Sequence, residues 1–86
     1  MNAPVRYTGG DGSSFDHAVI ILGANVVSGP RAEHDYIERR YPGYQFYRQS
    51  LKEHNGRNYD VLEFTTAAGE KKLMHFDISA HLSKPQ

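Results

Sequence analysis

The chain has 86 residues, with ten basic and ten acidic side chains that cancel, five histidines and no cysteine. That length supports one domain with one modest core, and the lack of cysteine excludes a disulfide scaffold, a thiol nucleophile and a thiolate metal site. A neutral balance also lacks the basic excess with which nucleic-acid binders neutralise phosphates.

Residues 1–14 are rich in glycine, serine and proline and offer little apolar area to offset ordering entropy, so a flexible N-terminal arm is expected. Val5 and Tyr7 are the residues able to pin a short edge segment within it. Met1-Asn2-Ala3-Pro4-Val5-Arg6 has no apolar segment after its charge and does not read as a secretory signal. The longest apolar run, residues 18–22, is five residues long, too short to cross a bilayer. No membrane association is expected, and the expected location is cytoplasmic.

Residues 15–82 form the expected single α+β domain. Ala18, Val19, Ile20, Ile21 and Leu22 make an unbroken, largely β-branched run before Gly23, which reads as a strand buried on both faces. Ser28-Gly29-Pro30 then offers a helix cap followed by proline, where the missing N–H is harmless. Glu33 and Asp35 near the start and Arg39 and Arg40 near the end suit the helix dipole, and Pro42-Gly43 stops the helix. The core-facing stripe is predicted as Pro30, His34, Ile37 and Tyr41, with Ile37 its only aliphatic member.

Three strands joined by two hairpins follow. Asn55-Gly56 suits a type I′ turn, because both residues tolerate positive φ. It sets His54 opposite Arg57, Arg48 opposite Glu63, and Tyr47 opposite Phe64. Ala67-Ala68-Gly69 suits a three-residue loop with Gly69 left-handed, which sets Leu62 opposite Met74. Alternation assigns Tyr47, Leu51, Leu62, Phe64, Met74, Phe76 and Ile78 to the core beneath the helix. The expected fold is one helix on a four-stranded, mainly antiparallel sheet in the order β-α-β-β-β, with residues 83–86 a flexible tail.

No set of residues specifies a reaction. The glycines of the arm precede a strand, whereas a phosphate loop needs a strand before and a helix after. His34 and Glu38 lie one helical turn apart but form only half of a metal site, so no metal or other cofactor is expected. His75 and Asp77, with Tyr59 opposite and Arg48 on the same face, could orient a general base or hold a ligand, yet no nucleophile accompanies them. No catalytic residue is assigned. Arg39, Arg40 and Arg48, interleaved with Tyr41, Tyr44, Phe46 and Tyr47, give a single-stranded nucleic-acid alternative, which the neutral composition makes the weaker one.

The most informative feature is the sheet face away from the helix, where Phe46, Arg48, Tyr59, Val61, Glu63, His75 and Asp77 fall by alternation. Apolar groups mixed with arginine and tyrosine are the composition of an interaction patch. The leading expectation is a non-catalytic module that binds a protein partner or a second copy of itself through that face, unless the N-terminal arm folds across it.

Overall fold

A computed structural model describes residues 5–82, with side chains through Ala80; residues 1–4 and the expected tail at 83–86 lie outside it. The chain is α+β: a twelve-residue helix lies on one face of a five-stranded mixed sheet. The elements are β1 (Arg6–Gly9), β2 (Val19–Leu22), α1 (Gly29–Arg40), β3 (Gln45–His54), β4 (Arg57–Thr65), β5 (Lys71–Asp77) and the short α2 (Ser79–Leu82). The spatial order is β1-β2-β5-β4-β3. All neighbours pair antiparallel except β2 with β5, which are parallel.

The topology explains the mixed sheet. After β2 the chain crosses through α1 to the far edge, and the β3-β4-β5 meander walks back until β5 reaches β2. Turn chemistry fixes that meander. Asn55 and Gly56 both take positive φ, 52° and 78°, as a type I′ turn demands, and His54 pairs with Arg57. At the second turn Gly69 is left-handed with φ 91°, and Thr66 N–H and Glu70 C=O close a three-residue loop at 2.8 Å. Leu62 accordingly pairs with Met74.

Three expectations need correction. The sheet has a fifth strand, β1, inside the stretch expected to be a flexible arm. Tyr7 anchors it: its hydroxyl donates to Ala32 C=O at 2.8 Å and its ring packs on Tyr36 at 5.0 Å. One large ring with a satisfied hydroxyl outweighs the glycine-rich composition around it.

The second correction concerns β3. Phe46, not Tyr47, pairs with Phe64, and the register shifts between Phe46 and Arg48. This β-bulge puts one extra residue, Tyr47, on β3 and carries Phe46 to the helix side, where its ring meets His34 edge-on at 4.7 Å. Tyr47 is 70% exposed rather than core, and Leu51, farther along the edge strand, is 66% exposed.

The third concerns the helix stripe. The buried residues of α1 are Gly29, Ala32, Glu33 and Ile37, with Tyr36 and Tyr41 packed at the margin. Pro30 is exposed, and His34 turns aside to place Nδ1 2.6 Å from Tyr44 Oη. The helix entry also differs from a simple serine cap. Asn25 Oδ1 accepts the N–H groups of Val27 and Ser28 at 2.8 and 2.9 Å, while Ser28 Oγ accepts Asn25 N–H at 3.1 Å. This reciprocal pair is a capping box one turn before Gly29.

The core between α1 and the sheet is built from Val19, Ile21, Ala32, Ile37, Leu62, Phe64, Met74, Phe76 and Ile78. On β2, Val19 and Ile21 are fully buried in it, while Ile20 and Leu22 on the opposite face are half-buried. The apolar strand is therefore internal to the sheet and sealed on one side only.

Candidate functional site

Of the seven residues predicted to share the face opposite the helix, six do: Arg48, Tyr59, Val61, Glu63, His75 and Asp77. Phe46 does not, for the reason given by the bulge. The six divide into a covered half and an open half.

The covered half is sealed by residues 10–18, the link between β1 and β2. Gly12 C=O accepts two hydrogen bonds from His75, one from its backbone N–H at 2.7 Å and one from its Nδ1–H at 2.9 Å. This contact continues the sheet at the point where β2 is too short to flank β5. Gly12 is required there. Its φ is +83°, and a Cβ would overlap the Met74 thioether. Phe15 then folds back over the sheet, stacking on His54 at 4.4 Å and meeting Tyr59 and His75 edge-on at 4.9 and 4.8 Å. Tyr59, Val61, His75 and Asp77 are all buried.

Asp77 is occupied as well as buried. Its Oδ2 accepts Arg57 Nε–H at 2.7 Å, and its Oδ1 accepts Ser79 N–H at 3.0 Å. Burial alone would raise its carboxyl, but the Arg57 guanidinium and the Ser79 donors outweigh that and hold it below the usual carboxylate range. His75 and Asp77 therefore spend their hydrogen bonds on the fold, with a phenylalanine where a substrate would need to approach.

Arg48 stands apart. It pairs with Glu63, four residues along β4 from Tyr59, the partner of Asp77, a strand distance of roughly 14 Å. Its guanidinium binds Glu63 and lies over the Tyr47 ring, 5.5 Å from the centroid. Tyr47, Glu63, Thr65, Lys71 and Leu73 line an open groove of about 540 Å³ at this end of the sheet. The groove has the volume of a small-ligand site, but its one carboxylate is already paired with Arg48.

The other arginines are dispersed. Arg39 lies over Tyr7 at 5.7 Å and Arg40 over Tyr36 at 5.8 Å, with Arg40 also donating to Tyr36 Oη at 2.9 Å. Both sit on the helix side of the sheet, away from Arg48. Their rings and cations satisfy one another within the chain rather than forming a common track.

Sequence reasoning did not single out β3 itself. It is the longest strand, ten residues at a sheet edge, and nearly all of it is exposed. Phe46, Tyr47 and Leu51 on β3, with Leu73 on β5, are large apolar side chains left in solvent. The signal for the edge lay in the crossover after the helix, which sends β3 past two strand positions. Among the described residues no three histidine or acidic side chains converge as a metal site, and no helix is long and apolar enough to cross a membrane. No family model matches the chain, and no curated protein or solved structure resembles it at a significant level.

Proposed function

We propose that this chain is a small non-catalytic interaction module whose working surface is the β3 edge, and that its occupant is the β3 strand of a second copy. The observation that carries the reading is a ten-residue edge strand whose outer side pairs with no other strand among the described residues, with Phe46, Tyr47 and Leu51 exposed along it. Such an edge presents a row of free backbone N–H and C=O groups to another strand.

The bulge selects the register. A β-bulge twists a strand away from flat pairing, so the regular part of β3 is residues 48–54, which pair without interruption with β4. Two antiparallel copies of a seven-residue segment pair fully only about its midpoint, Leu51. On the helix side this sets Leu51 against its own copy and Gln49 against Glu53. On the other side it sets Ser50 against Lys52 and Arg48 against His54. Moving the two-fold to Ser50 would instead oppose Arg48 to Lys52, and like charges directly opposite are unfavourable. A chain of zero formal charge presents no long-range repulsion to a second copy. Burying each Leu51, now 66% exposed, contributes about 1–2 kcal/mol per copy.

This reading moves the interface from the face of the sheet to its edge, because Phe15 and residues 10–18 already occupy much of the face. It ranks above a catalytic role for His75, Asp77, Tyr59 and Arg48, since the first three are covered and Arg48 lies at the far end. Sedimentation equilibrium of the wild type and of Leu51→Lys tests it. The expected result is a concentration-dependent dimer for wild type and a monomer for the variant, with unchanged circular dichroism because an exposed substitution costs little. A wild-type chain that stays monomeric from micromolar to millimolar concentration contradicts self-association and leaves β3 to a different protein.

A further inference from the structure

We propose that Glu33 and Asp60 share one proton across the interface between α1 and the sheet, and that this proton latches the first turns of α1 onto β4. The inference stands apart from the edge of β3 and from self-association.

Glu33 is completely buried, and neither of its carboxyl oxygens meets a hydrogen-bond donor among the described residues. An ionised carboxylate in that state is among the costliest arrangements a small core can contain. Asp60 is 6% exposed and belongs to the helix side of β4, alternating with Leu62 and Phe64. Its neighbours across the sheet are Phe76 on β5 and Leu51 on β3. The Asp60 side chain is the one that reaches the Glu33 carboxyl, and the buried residues around the two include Ala32, Ile37, Leu62 and Phe76.

A metal cation does not fit this position. Hard cations take six or more oxygen ligands, and no third acidic or histidine side chain joins the pair among the described residues. A proton fits, because it removes one charge and supplies the donor that the pair lacks. Burial first, and the Asp60 carboxyl beside it second, push the Glu33 carboxyl up to about 10. No other charged group bears on it from the elements packed there. On the helix side, β2 presents Val19 and Ile21, and β5 presents Met74, Phe76 and, opposite Phe64, Lys72, whose ammonium lies over the Tyr41 ring at 5.7 Å; Tyr7 on β1 gives its hydroxyl to Ala32 C=O. On β3, Glu53 is on the helix side but exposed to solvent, and on α1 His34 turns to Tyr44.

The latch follows from position. Glu33 is in the first half of α1, so ionising it forces either a buried charge pair or withdrawal of that part of the helix. The Asn55-Gly56 hairpin and the β4–β5 ladder do not involve Glu33 and stay in place.

Two measurements decide the matter. Carbon-13 NMR of the Glu33 side-chain carboxyl in the wild-type protein should report the protonated form at pH 7. Amide exchange, corrected for its intrinsic pH dependence, should show α1 losing protection relative to β4 as pH rises above neutral. The loss should approach tenfold per pH unit for one proton, and Glu33→Gln should abolish that slope while keeping α1 protected. An ionised Glu33 in the folded protein at pH 7 overturns the proposal even if the variant fails to fold. An unchanged slope in Glu33→Gln, or equal loss in β4, overturns it as well.

Discussion

Phe15 lies flat on His54, their ring centroids 4.4 Å apart and their planes 11° from parallel. One ring from a glycine-rich link therefore joins the β3–β4 hairpin to the loop that flanks β5. Its edges against Tyr59 and His75 fall within the usual range for aromatic pairs. Phe15→Ala should cost roughly 2 kcal/mol, less than a fully buried phenylalanine because Phe15 stays partly exposed. Urea unfolding measures that cost. Amide exchange should rise in residues 10–18 while the Asn55-Gly56 hairpin stays protected.

Stability should peak on the mildly acidic side of neutrality, because two buried carboxyls pull in opposite directions. Glu33 is raised from its ordinary 4.5 to about 10, so between those values the folded chain binds a proton that the unfolded chain releases. Its stabilisation is complete below pH 4.5 and falls by as much as about 1.4 kcal/mol per unit as pH rises toward 10. Asp77 is held below its ordinary 3.8, so its contribution is present above that value and is lost as pH falls further. Thermal unfolding from pH 3 to pH 9 should show a maximum Tm near pH 4–5 from these two groups. In Glu33→Gln the alkaline decline should flatten, while Asp77→Asn should remove the acid-side decline and leave the alkaline one.

The parts legible from sequence were those fixed by short-range chemistry. Asn55-Gly56 and Gly69 each demand positive φ, and from those two turns the pairings of His54 with Arg57 and Leu62 with Met74 follow by counting. The bulge at Tyr47 carries no such mark: no glycine accompanies it, and one extra residue reverses the faces of Phe46 and Tyr47. The helix stripe was misjudged because a polarity pattern places Glu33 in solvent. The structure buries it beside Asp60 and lets Gly29 and Ala32 bring α1 close to the sheet. Residues 10–14 belong to the stretch that composition marks as mobile, yet the carbonyl of Gly12 and the neighbouring Phe15 ring tie them down. Of the seven predicted site residues, six share a face as expected from alternation. Their accessibility was not legible, since it depends on where a distant loop comes to rest.

The pairing of β3 with a second β3 is the claim on which the functional account rests, and amide exchange measured across protein concentration tests it most directly. Residues 48–54 should contain outward-pointing amides that exchange freely in dilute solution and become protected as concentration rises, with Leu51→Lys insensitive to concentration. Amides in that segment that exchange at one rate at every concentration would contradict the account.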